Sequence, residues 1–287
     1  PTVAHLKLDL ISCKSFICDW KDKSKDMKVL EKIGLEGDAI SPFELMPLED
    51  NPVKHLIRAK RFYQDRYKRK EERIIFIRKK KIRIGYFSAD FYRHATMYLM
   101  QRVFEFHNKD EFEIFIYSSS KFEDELTENL RKNVDIFRNI SDIDDIEAVH
   151  IARKDKIDIA IDLKGYTKDT SLAIFSYRIA PIQISYLGYP GTTGADCIDY
   201  LIADKIIIPT DYKKFYSEKV LYMPNSYQCN DSQRKISRKI FKREDLGLKD
   251  DDFVFACFNA NNKITQDVFS IWMNLLSKVE GSVLWLY

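Results

Sequence analysis

From Ile82 onward, short apolar runs alternate with stretches whose apolar residues recur at helical spacing. Residues 82–87 form the first apolar run, and residues 96–106 follow with the rhythm of an amphipathic helix. Residues 112–117, 135–140 and 157–163 read as further strands, with helices expected over 123–132 and 143–153. The runs at 182–186, 200–203 and 219–222 complete this series. Such β-then-α alternation predicts a mostly parallel, doubly wound sheet.

The flanks have a different texture. Residues 1–75 read as helical: Ser41-Pro42-Phe43 has the form of a helix start, with Ser41 as cap and Pro42 in the first turn. Val53, Leu56, Ile57, Ala59 and Phe62 then follow a helical rhythm. A second unit opens near Phe241, with a strand at 253–258, an amphipathic helix at 266–278 and a strand at 282–286. One βαβ unit leaves open sheet edges and little core, so the chain is expected to end inside its second domain. The expected division is a helical segment at 1–75, a Rossmann-like lobe at 76–240 and the beginning of a second lobe at 241–287. The absence of an initiator methionine suggests a piece of a longer product.

Charge changes this picture little. The 47 basic and 44 acidic residues leave a net charge of +3, which names no partner. Between Arg58 and Arg83, thirteen Lys/Arg residues stand against three acids, but no aromatic stacking pattern accompanies them. A solvated helix face and charged linker is the expectation there, with no nucleic acid as partner. Cys13, Cys18, Cys197, Cys229 and Cys257 are odd in number and form no CxxC pair, which points to a reducing, cytoplasmic compartment. No stretch has the length and apolarity of a membrane span, so no membrane partner is expected.

Candidate chemistry gathers after the strands, because ligands of open α/β sheets bind at strand carboxyl ends. Leu187-Gly188-Tyr189-Pro190-Gly191-Thr192-Thr193-Gly194 follows the run at 182–186. A turn so rich in glycine lets a phosphate or sugar approach the main chain, though many such turns only reverse direction. Asp90 and His94, four apart after the first strand, can present a carboxylate and an imidazole on one face. Their alternative roles are a helix cap for Asp90 and an ordinary surface histidine for His94. Lys263 follows the strand at 253–258 and can steady a phosphate leaving group, or remain a solvated lysine. Asp162, with Lys164-Gly165-Tyr166-Thr167, closes the strand at 157–163 and points to the same crevice, or to a plain turn. Asp142 and Asp144 have DxD spacing but read as a helix cap, and no metal site is expected. The chain has no GxSxG, HExxH, Walker lysine or complete GxGxxG motif, which removes most hydrolase, zinc-protease, P-loop and dinucleotide readings.

Several of these segments together resemble the protein O-GlcNAc transferase family. The resemblance runs over residues 18–287 and is carried by Cys18-Asp19-Trp20, Asp38-Ala39-Ile40-Ser41-Pro42-Phe43, Arg83-Ile84-Gly85-Tyr86-Phe87-Ser88-Ala89-Asp90-Phe91 with His94 and Thr96, and Ala180-Pro181-Ile182-Gln183 through Gly194. Tyr222-Met223-Pro224-Asn225-Ser226-Tyr227-Gln228 and Ser282-Val283-Leu284-Trp285-Leu286 agree with it. It implies a metal-independent GT-B-type α/β glycosyltransferase, needing no cofactor, with a complete Rossmann-like N-terminal lobe and a truncated C-terminal lobe. It further implies tetratricopeptide repeats upstream, and transfer of GlcNAc from UDP-GlcNAc to Ser or Thr hydroxyls of proteins, with inversion.

By the same resemblance, Lys263 contacts the donor diphosphate, and His94 and Thr96 line the donor and acceptor site. Leu187, Gly188 and Pro190 form the turn facing sugar and phosphate. Asp90 matches a carboxylate proposed as general base, a role the donor's own phosphate would otherwise fill. The chain departs from the family pattern at Arg93, Ala260 and Gln266, and lacks the later donor-binding segments, so these residues alone are expected to be inactive. Two alternatives remain: transfer of fucose or glucose on the same fold, or an interaction module that kept the fold without the chemistry.

Overall fold

The structure is a computed structural model that describes residues 2–68, 74–75 and 79–286. Part of the expected charged linker, at 69–73 and 76–78, thus lies outside the described residues. The first elements are helical: α1 (Val3–Phe16), α2 (Lys23–Leu30), the single turn α3 (Pro42–Leu45) and α4 (Pro52–Arg66). The alternating series follows as β1 (Ile82–Ser88), α5 (Ala95–Phe106), β2 (Phe112–Ser118), α6 (Glu125–Asn133), β3 (Ile136–Asn139), α7 (Asp145–Asp155) and β4 (Ile159–Asp162). A short α8 (Leu172–Phe175) precedes β5 (Ile182–Ser185), β6 (Tyr200–Ala203) and β7 (Lys219–Tyr222). The last elements are β8 (Phe253–Cys257), α9 (Gln266–Lys278) and β9 (Ser282–Leu286).

These residues group into two compact units, one of Ala39–Met46 with Asn51–Gln233 and the other of Pro1–Asp38, Pro47–Asp50 and Arg234–Tyr287. This grouping cuts across the boundaries expected at 75 and 240, because α1 and α2 fall with β8, α9 and β9.

The larger unit is built on one seven-stranded sheet in the order β3-β2-β1-β4-β5-β6-β7. Each neighbouring pair is parallel. Alternation along the strands sends side chains to opposite faces. Ile84 and Tyr86 of β1, with Ile114 and Ile116 of β2, pack among Met97, Met100 and Phe104 of α5 and Leu130 of α6. Phe87, Phe115 and Tyr117 take the other face, with Ala148, Val149 and Ala152 of α7, Phe175 of α8 and Tyr63 of α4. The rings of Phe87 and Tyr117 stack at 4.3 Å with planes 4° apart.

Local capping sets the helix starts. Asn51 accepts from the Lys54 N–H at 3.1 Å, with Pro52 in the first turn of α4. Asp124 and Thr127 form a reciprocal capping box on α6, and Asp144 caps α7 through the Glu147 N–H at 2.8 Å. The DxD spacing is thus a capping feature. Ser41 stands before α3 as expected, yet its side chain makes no capping bond.

In the smaller unit β8 and β9 pair in parallel, joined through α9. Leu8, Ile11, Leu30 and Ile33 are its buried apolar side chains near α1 and α2. Trp20 and Phe269 meet at 5.7 Å, and Lys23 pairs with Asp267 at 2.7 Å. None of the residues of α9 is fully buried.

Candidate active site

Parallel pairing places every strand's carboxyl end on one edge of the sheet. Register makes the edge level: Ser88 pairs with Ser118, Phe87 with Asp162, and Asp162 with Ser185. Strand order reverses between β1 and β4, and α5 and α8 pack on opposite faces. A crevice opens at such a switch point.

Asp90 lies there, two residues past β1, with its backbone N–H on the Ser88 hydroxyl at 3.0 Å. Its Oδ2 accepts from the Lys164 ammonium at 2.7 Å and stands 3.5 Å from His94 Nδ1. Asp90 is 7% exposed and Lys164 4%. His94, not Asp90, caps α5: its Nδ1 accepts from the Thr96 N–H at 3.2 Å. The Nδ1 edge of the ring thus faces both the Thr96 N–H and the Asp90 carboxylate. The Thr96 hydroxyl stands 3.2 Å from the same nitrogen.

The loop after β4 is drawn tight by Asp162, whose carboxyl accepts from the N–H groups of Lys164 and Gly165, each at 2.9 Å. Complete burial pushes this carboxyl up to about 6, against the downward pull of both N–H groups and of the Lys164 charge. Carbonyl Lys164 in turn accepts from the Thr167 N–H at 3.1 Å and its hydroxyl at 2.7 Å.

The glycine-rich turn after β5 is shaped by its protein neighbours. A Cβ on Gly188 would overlap the Leu163 carbonyl, so the loops after β4 and β5 touch main chain to main chain. Gly191 packs on Met46 and Tyr189, and Gly194, at φ +64°, on the backbone of Ala59 and Lys60. Leu187 holds φ +65°, a left-handed conformation uncommon for a branched side chain. Glu218, 4% exposed, ties down the end of the turn. It accepts from the Thr192 hydroxyl at 2.7 Å, the Thr193 N–H at 2.7 Å and the Thr193 hydroxyl.

Together these loops surround a cavity of about 640 Å³. Asp90, His94 and Gly188 line it, as their positions after the strands led us to expect of one strand-end site, and so does Thr96, which the resemblance had indicated. Leu187 and Pro190, one residue before and two after Gly188, are not among the lining residues. Lys263 belongs to the smaller unit, where it is exposed at the end of the turn Asn261–Lys263 that leads into α9.

Sequence reasoning assigned no role to Tyr92, Lys168 or the segment Ser119 to Phe122, which line the cavity; Lys164, placed at this crevice by its position after β4, lines it as well. The strand-end rule applied to β2 would have found Ser119 to Phe122. The pairing of Lys164 with Asp90 carried no such signal, since the two lie 74 residues apart. Among the described residues no cluster of three His, Cys, Asp or Glu has the geometry of a metal site, and no helix is long and apolar enough to cross a membrane.

An all-parallel sheet with a cavity at its switch point defines a Rossmann-like lobe. Residues 56–243 match the model of Glycosyl transferase family 41, and the chain belongs to that family. It is similar to the "Probable UDP-N-acetylglucosamine--peptide N-acetylglucosaminyltransferase SEC" of Arabidopsis thaliana, 40% identical over 213 residues, covering 72% of this chain and 22% of the relative. The corresponding SPINDLY protein of Solanum lycopersicum is 31% identical over 203 residues, with 69% and 22% covered. The chain thus spans under a quarter of the length of these curated relatives. Among solved structures, an O-GlcNAc transferase mutant of Thermobaculum terrenum superposes with a TM-score of 0.79 at 23% identity, over 99% of this chain and 55% of that one. The match bears out the GT-B-type α/β fold.

Proposed function

We propose that this chain is part of the catalytic region of a glycosyltransferase that moves GlcNAc from UDP-GlcNAc to Ser or Thr hydroxyls of proteins. What carries the reading is the Asp90 carboxylate inside the strand-end cavity, within a chain that belongs to Glycosyl transferase family 41. The names of the SEC and SPINDLY relatives specify the same donor and a peptide acceptor.

In this reading the acceptor oxygen attacks the anomeric carbon from the face opposite the diphosphate. The carbon–oxygen bond to phosphate breaks, and UDP departs with the electron pair. The hydroxyl proton passes to Asp90 or to a donor phosphate oxygen, and inversion follows from the single displacement. His94 and Thr96 line the acceptor side of the cavity, and Gly188 offers a surface without a side chain. Lys263 supplies positive charge to the departing diphosphate. No metal has a role in this scheme.

The test is transfer of label from radiolabelled UDP-GlcNAc by the full-length protein, beside the Lys263→Ala variant and with EDTA present. We expect incorporation that EDTA leaves intact and the substitution reduces about 100-fold or more. Labelling from GDP-fucose or UDP-glucose but not UDP-GlcNAc would move the reading to another sugar. Incorporation unchanged by Lys263→Ala would remove the role given to that lysine.

A further inference from the structure

Lys164 stands where the sheet's order turns back, on the loop after β4, facing the loop after β1. Its side chain is 5% exposed and that of Asp90 10%. An ammonium so deeply placed is costly unless paired, and it donates its hydrogen bond to Asp90 Oδ2 while its charge also acts on the buried Asp162 carboxyl. The main chain on both sides of the lysine is locked, at its N–H by Asp162 and at its carbonyl by Thr167. Asp90 is tethered through its own N–H to Ser88. The two loops therefore present the charges to each other with little freedom in either backbone.

The distribution over the carboxylate is uneven. Oδ2 receives the ammonium and stands 3.5 Å from His94 Nδ1, while Oδ1 accepts no hydrogen bond among the described residues. Both Asp90 and Lys164 line the cavity. A carboxylate gripped by one oxygen presents the other in a set direction, which a free aspartate would not do.

We propose that Lys164 is a positioning residue of this site: its ammonium holds Asp90 by Oδ2 across the switch point, so that Oδ1 faces the acceptor hydroxyl. The functional consequence rests on the transferase reading. Without the ammonium, Asp90 keeps its buried site but loses its fixed orientation, and a misaligned group slows the reaction step more than it weakens donor binding. Arginine retains the charge and a donor toward Oδ2, with a bulkier head to accommodate.

The experiment compares the full-length protein with Lys164→Met, Lys164→Arg, Asp90→Asn and the double variant Asp90→Asn/Lys164→Met. It reads both radiolabel transfer from UDP-GlcNAc and thermal unfolding. For Lys164→Met we expect kcat to fall about 10- to 100-fold with KM for UDP-GlcNAc changed less than about 2-fold. Lys164→Arg should recover most of that loss. In the Asp90→Asn background, Lys164→Met should cost nothing further, because residues that act as one unit are not additive. The double variant should also melt higher than either single variant, since neither member of the pair is left as a buried charge without the other.

Losses that multiply across the two positions would overturn the proposal, as would a raised KM with kcat intact. Additive melting effects would overturn the pairing itself. If the unsubstituted protein transfers no sugar from any nucleotide donor, the transferase reading falls and the functional claim with it. The melting cycle would still decide whether Lys164 and Asp90 act as a unit.

Discussion

The segments β1-α5-β2 and β8-α9-β9 share one pattern, strand, amphipathic helix and parallel strand, yet they meet different surroundings. In the first, Phe87, Met97, Met100 and Ile116 are fully buried, because further helices cover both faces of a seven-stranded sheet. In the second, the two strands pair only with each other among the described residues, and Phe253, Ile271 and Trp285 remain 56%, 57% and 38% exposed. Apolar periodicity specifies the element, whereas the number of layers packed on it sets how deep its side chains go.

Their glycines provide the sharpest contrast. In the larger unit a methyl group on Gly188 would run into the Leu163 carbonyl, whereas Gly281, between α9 and β9, has open space about its Cα at φ +68°. Gly188→Ala should destabilise the larger unit by more than about 4 kcal/mol or prevent its folding. Gly281→Ala, strained only in its backbone, should cost about 1–2 kcal/mol. Hydrogen exchange monitored separately over 82–203 and 253–286 checks this, and equal losses of protection would break the comparison.

Side-chain truncation is the next largest effect. Phe87→Ala removes a ring with no exposed surface and should cost about 3–5 kcal/mol. Ile271→Ala, on a helix face that is more than half exposed, should stay within about 0.5 kcal/mol. Urea unfolding of both variants measures the difference; a cost above about 2 kcal/mol for Ile271→Ala would mean that α9 is covered by something not yet described.

A smaller effect depends on pH. Burial raises Asp162 from 3.8 to about 6, so the folded state holds this proton more tightly than the unfolded chain. Its contribution to stability is therefore fully present below about pH 4 and is lost as pH rises through about 6. The shift corresponds to at most about 3 kcal/mol. Unfolding followed from pH 4 to 7 should show this slope in the native protein and a flatter one in Asp162→Asn. An unchanged slope would assign the titration to another group.

Much of the fold was legible in the chain. The strands at 200–203, 219–222 and 282–286 and the helix at 266–278 form over the expected residues, and the largest displacements, as at β4 (159 against 157), are two residues. Strong apolar runs bounded by polar turns make such elements easy to recognise. The four-residue α8 left no comparable rhythm. At the site, Asp90, His94 and Gly188 were visible because each follows a strand, and all such positions share one edge of a parallel sheet, whereas Thr96 was indicated only by the family resemblance. The cap of α5 was misread in the alternative that gave it to Asp90, because imidazole is an uncommon capping group and the bond depends on ring orientation. Glu218 was invisible for a different reason, since nothing near it in the chain marks it as the anchor of a turn 25 residues earlier.

By itself the sequence determined which segments form strands and helices, that the sheet is parallel, and that the glycine turn and the Asp90 loop open on the same edge. These follow from periodicity and from local turn chemistry, both properties of neighbouring residues. The strand order, the Lys164–Asp90 contact and the need for glycine at 188 were decided only in three dimensions. Each depends on two distant loops brought level by strand register, and no local pattern encodes the distance between them.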